Sequence, residues 1–204
     1  MSLSKTALLF IGYQNDYFAS DGILRPVIEE SERTQQVLKN SLRLIDTYKD
    51  NAALMIQTPI IFTKNYSELV NPVGILKTIV DVKAFNEDSP GSDKVSEFKE
   101  YGDRILTVAG KRGLNAFSNT SLHDVLQAQD IEHVILSGVV TSICIDSTGR
   151  AAHELGYKVT VLSDCTASRT LFEQSFYCEQ VFPLYADVIS IDDLISKYPP
   201  KQSL

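Results

Sequence analysis

Cysteine is scarce in this chain, with three in 204 residues: Cys144, Cys165 and Cys178. An odd count without a C-x-x-C pair describes neither a disulfide framework nor a structural zinc site, and it predicts a reducing, cytoplasmic setting. Positive charge is also short. Nineteen basic against 26 acidic residues leave a formal net charge of −7, which argues against nucleic acid or an anionic membrane surface as the main partner. No run reaches the ~18 apolar residues that a membrane span needs. The first twelve residues lack a charged region followed by a cleavable apolar stretch, so no secretory signal is expected. Glycines are few, and no G-x-G-x-x-G follows an apolar run, which argues against dinucleotide binding. The three histidines, His123, His133 and His153, are well separated and make no i, i+4 ligand pair, so neither a metal nor any other cofactor is expected. Repeats, low-complexity tracts and Pro/Gly/Ser linkers are missing too, and residues 1–204 read as one domain.

What is present is a globular composition, 44% hydrophobic and 22% charged, in a chain long enough to bury a core without staples. Apolar, β-branched runs recur at 6–12, 58–63, 103–108, 132–138, 157–164 and, more weakly, 186–191. Most are apolar on both faces, as buried parallel strands are. Helical patterns lie between them. Residues 30–50 put Val37, Leu38, Leu42, Ile45 and Tyr48 on one side. Residues 119–129 open on Asn119 and Thr120 as caps and carry Leu122, Val125 and Leu126. Residues 142–155 run to a Leu155-Gly156 stop. The alternation predicts an α/β fold, a three-layer αβα sandwich with a mainly parallel sheet of about six strands. The irregular stretch 65–102, with an apolar patch at 73–80, is either a cover over the site or a plain surface excursion.

Open parallel sheets bind ligands beyond the carboxyl ends of their strands. Three such loops stand out: Gly12–Phe18, Ala109–Phe117 and Gly138–Cys144. Cys144 falls at the start of a predicted helix, where the dipole and free backbone N–H groups favour a thiolate and can hold an oxyanion. Lys111 can add positive charge to the same crevice. Phe117, Tyr13, Tyr17 and Phe18 are candidates to line an apolar pocket. Cys165 and Cys178 read as packing residues.

The segments ALLFIGYQNDYF, KRGLNAFSNTSL and VILSGVVTSICIDSTGRAAHELGYKVTVLSDCTAS resemble the three signature blocks of the isochorismatase-like cysteine hydrolases, a superfamily that includes nicotinamidases, N-carbamoylsarcosine amidases and isochorismatases. The resemblance implies a Rossmann-like sheet, a homo-oligomer (dimer or tetramer), a small-molecule amide or related C–N substrate, and a trio of Asp, Lys and Cys. Cys144 matches the nucleophile and Lys111 the lysine. Val139-Val140 matches a non-proline cis peptide that, with Thr141, borders the oxyanion environment. Asp16 matches a structural aspartate. The catalytic aspartate does not carry over, because its position is Gly12. The glycine empties space beside the cysteine, and Gly12→Asp is expected to raise amide hydrolysis at least tenfold where the trio geometry is kept. Metal-binding nicotinamidases carry histidines shortly after the second strand, whereas Thr63–Glu68 has none. Three readings stand at this point: an atypical cysteine hydrolase, a catalytically impaired binder or oligomeric scaffold, and a thiol-redox protein using Cys144.

Overall fold

The computed structural model describes residues 2–29, 31–51 and 53–200. They form a six-stranded, all-parallel sheet of β1 (Thr6–Ile11), β2 (Leu54–Thr58), β3 (Leu106–Thr107), β4 (His133–Val139), β5 (Lys158–Ala167) and β6 (Asp187–Ile189), in the order β3-β2-β1-β4-β5-β6. The helices are α1 (Asn15–Phe18), α2 (Ser31–Tyr48), α3 (Gly74–Val82), α4 (Ser96–Lys99), α5 (Leu122–Ala128), α6 (Asp146–Glu154), α7 (Leu171–Phe176) and α8 (Ile191–Lys197). The chain leaves β1 first toward β2 and later toward β4, so the order reverses between β1 and β4, and a crevice opens there beyond their carboxyl ends.

Both central strands are buried along their whole length, which explains their unbroken apolar sequences. Leu8 and Phe10 of β1 pack on one side with Val37, Leu44, Ile45 and Tyr48 of α2 and Ile191 and Leu194 of α8. Ala7, Leu9 and Ile11 pack on the other with Leu122 and Leu126 of α5 and Ala152 of α6. The two faces give the predicted three layers. β1 and β4 approach closely at their ends. Gly138 pairs with Ile11 at φ +124°, where a Cβ would stand 1.9 Å from the Ile11 carbonyl oxygen, so the register admits only glycine.

The expected second strand, 58–63, is displaced. β2 ends at Thr58 because Pro59 has no N–H to give a ladder, and Ile60 and Phe62 make isolated bridges to Lys111 and Asn86 instead. β3 is a two-residue remnant of the run 103–108. The predicted helix at 119–129 starts only at Leu122, since Asn119 adopts φ +57°, outside the helical region. The helix predicted over 142–155 begins as a π turn, Thr141–Ile145, and continues as α6. Among the described residues, no helix is long and apolar enough to cross a membrane.

Candidate active site

Side chains at the β1–β4 reversal enclose a small cavity. Cys144, on the π turn after β4, faces Lys111, on the loop after β3, and Lys111 Nζ lies 3.6 Å from Cys144 Sγ. The parallel bridge between Ile60 and Lys111 extends sheet pairing past β2 and sets the lysine at that height. Lys111 is only 1% exposed. Its ammonium donates to the Gly113 carbonyl, and among the described residues no carboxylate pairs with it. A buried charge without a counter-charge is expensive, and the Cys144 sulfur lies beside this ammonium.

Gly12 and Tyr17 line the cavity from the β1 side. Gly12 sits at φ +78°, and a Cβ there would fall 2.7 Å from the Val139 carbonyl oxygen. The backbone is therefore shaped for glycine at this position. The Tyr17 ring packs on Phe85 with 5.3 Å between centroids, and burial, followed by the nearby Cys144, pushes its phenol up and keeps it protonated. Ile75, Leu76 and Ile79 of α3, with Phe85, close the far wall. Within the stretch 65–102, these four residues cover the crevice. Water-accessible space inside is about 10 Å³, room for roughly one water. Ile75, Leu114 and Ile143 also line an open outer groove with Ser142, Asp146 and Glu173, so these three apolar side chains partition the cavity from solvent.

The other candidates are placed differently. The Val139–Val140 peptide is cis. Val139 lines the cavity, whereas Val140 is buried in the core. The Thr141 hydroxyl donates to Gln174 Oε1 at 2.7 Å and ties the π turn to α7. Phe117 stands away from the cavity: the Asn115 side chain accepts its N–H at 2.8 Å, and this turn swings the ring onto Tyr157, with 6.1 Å between centroids. Tyr13 and Phe18 stack on each other in the core, and the Tyr13 hydroxyl reaches Ser137 and Ser41. Asp16 does not face the cysteine. Its carboxylate accepts the Phe85 N–H at 2.6 Å and packs where a side chain on Gly91 would otherwise lie. Gln14 makes a matching clamp, exchanging hydrogen bonds with both backbone groups of Ile60 and donating to Ser92 O. Together the two residues fasten the cover to the end of β1.

His123, His133 and His153 engage Tyr157, Thr160 and Tyr185 respectively, and among the described residues no three His, Cys, Asp or Glu side chains gather as metal ligands would. Besides the apolar residues of α3, Thr58 escaped the sequence reading: it lines the cavity, yet its hydroxyl has no hydrogen-bond partner among the described residues. The misplaced β2 hid it, since a strand starting at 58 puts this residue at the wrong end.

The Isochorismatase domain family matches residues 6–193. The chain belongs to that family. Among characterised and uncharacterised relatives, it is 27% identical over 166 residues to the isochorismatase family protein YddQ of Bacillus subtilis, covering 81% of this chain and 79% of that protein. It is 24% identical over 212 residues to a ureidoacrylate amidohydrolase of Variovorax paradoxus, covering 97% and 82%. An isochorismatase-like hydrolase from Alkaliphilus metalliredigens shares the fold at TM-score 0.77 and 22% identity, over 95% of this chain and 99% of that one.

Proposed function

We propose that this protein is a cysteine hydrolase of small amides or related C–N bonds, in which Cys144 and Lys111 work as a pair without a catalytic aspartate. The observation that carries this reading is the buried Lys111 ammonium, 3.6 Å from Cys144 Sγ and lacking a carboxylate partner among the described residues. Placed so, the ammonium favours the thiolate, which is the nucleophilic form. The likeness to a ureidoacrylate amidohydrolase supports a C–N bond as the target.

The pair also accounts for the proton. The thiolate attacks the carbonyl carbon and forms an S–C bond. As the C–N bond breaks, the Lys111 ammonium gives its proton to the departing nitrogen, leaving a thioester and a neutral lysine. Water then attacks the thioester, Lys111 takes the water's proton, and the C–S bond breaks to restore the thiolate and ammonium. In this scheme Lys111 fills the acid/base role left open at Gly12, and a positioned acid/base is worth roughly 10²–10⁴ in rate. Substrate reaches the sulfur by displacing the Ile75–Leu114–Ile143 partition.

The test is ammonia or amine release across a panel of small amides, with hydroxylamine trapping of the acyl group on Cys144. Release lost in Cys144→Ala supports the reading. Binding of panel members without release contradicts it and favours a binder, and release that persists in Cys144→Ala contradicts it by removing the cysteine from the reaction.

A further inference from the structure

Thr58 closes β2 and pairs with Ile11, the residue before Gly12, so it stands beside the position where an aspartate would hang in this crevice. It is 1% exposed and lines the same cavity as Cys144 and Lys111, yet Thr58 Oγ1 has no hydrogen-bond partner among the described residues. The neighbouring polar side chain, Gln57, is satisfied by donating to Thr107 Oγ1 at 2.7 Å. Buried hydroxyls are almost always paired, so an unpaired one calls for an explanation, and its place in the cavity wall points to a ligand. The surroundings narrow the ligand. Ile60, Ile75, Ile79, Phe85, Leu114 and Val139 make most of the wall, and Lys111 is the cavity's one cationic side chain among the described residues, already held by Gly113 O and Cys144. A substrate carboxylate would find no further cation here.

We infer that Thr58 is the substrate-orienting residue of this site, its hydroxyl oxygen accepting an N–H of the scissile group in an uncharged primary amide with a small apolar acyl part. A hydroxyl can accept this hydrogen bond with its lone pairs while its own hydrogen stays free. Held on that side, the amide turns its carbonyl carbon toward Cys144 Sγ and leaves its nitrogen within the reach of Lys111. The inference rests on the hydrolase reading above and adds a preference: substrates offering an N–H are favoured over esters of the same acyl part, because a site built around a hydrogen bond rejects analogues that cannot make it.

The experiment compares Thr58→Val, which keeps the shape and removes the hydroxyl, and Thr58→Ser, which keeps the hydroxyl, on propanamide and on methyl propanoate, the ester of the same acyl part, beside thermal unfolding of the free proteins. Thr58→Val is expected to lose at least tenfold in kcat/KM on the amide, mostly through KM, with the ester rate within threefold of wild type. Thr58→Ser is expected to recover the amide rate. In the free protein Thr58→Val is expected to raise Tm by about 2–4 °C, since an unpartnered buried hydroxyl is replaced by a methyl. A lowered or unchanged Tm means that the hydroxyl is bonded within the fold and overturns the inference, whatever the turnover. Equal losses on amide and ester overturn it as well. Ammonia release by wild type with an unaffected Thr58→Val sinks Thr58 alone. No release from wild type, with Cys144 unlabelled by iodoacetamide, sinks the hydrolase reading itself.

Discussion

Cys144 and Cys165 lie at the carboxyl ends of neighbouring strands, and both are buried. Around Cys165 there is no exposure at all; burial pushes its thiol up, and the adjacent Asp164 adds a repelling charge. Around Cys144 the nearest charge is the Lys111 ammonium, in a cavity that also holds an unpartnered hydroxyl. Depth alone keeps a thiol protonated and inert, whereas a neighbouring cation acts in the opposite direction. The two cysteines differ less in how buried they are than in which charge shares their surroundings.

The sharpest way to break this comparison is to delete each thiol. Cys144→Ala should lower amide turnover by more than about 10⁴-fold, at the scale of losing a nucleophile, while Cys165→Ala keeps kcat/KM within threefold. The latter should instead cost about 1–2 kcal/mol in urea unfolding, as small buried deletions do. Comparable activity losses in both would erase the distinction. Next in size, Lys111→Met should cost roughly 10²–10⁴ in kcat, with little change in the labelling of Cys178, whose thiol burial pushes up to about 11.

Gly12→Asp sharpens the comparison from the other side. The sequence suggests that restoring the carboxylate helps, but the positive φ and the 2.7 Å approach of a Cβ to Val139 O oppose it. The variant is expected to lose about 2–4 kcal/mol of stability, measured by urea unfolding. Unchanged stability together with a tenfold faster amide would show that the trio geometry is retained after all. The smallest effect tests the burial rule on a base. His133, buried with its Nε2 2.8 Å from Thr160 Oγ1, is pushed down to about 3, first by burial and then by Lys158. The unfolded chain therefore binds an extra proton between about pH 6.5 and 3, and stability falls as pH falls through that window. The loss from pH 7 to pH 5 should be about 2 kcal/mol and should be absent in His133→Gln.

The sequence carried the sheet well where burial dictates residue type. β1 and β4 read as continuous apolar runs because both faces are covered, and Gly138 and Gly12 are glycines because the strands' ends leave no room for a Cβ. Cys144 and Lys111 were legible from their places after strands. What was hidden depended on loop geometry. Pro59 moved β2 and with it Thr58, and the Asn115 turn sent Phe117 to Tyr157 instead of the cavity. The contribution of α3 to the wall rests on tertiary packing, held by Gln14 and Asp16, which local periodicity does not record.

Iodoacetamide labelling between pH 5 and 9, followed site by site with peptide mass spectrometry in wild type and Lys111→Met, tests the central claim most directly. Cys144, with the Lys111 ammonium 3.6 Å from its sulfur, is expected to be labelled before Cys165 and Cys178 and to lose that lead in Lys111→Met. Labelling of Cys144 no earlier than Cys165, or at the same rate in the presence and absence of Lys111, would contradict this.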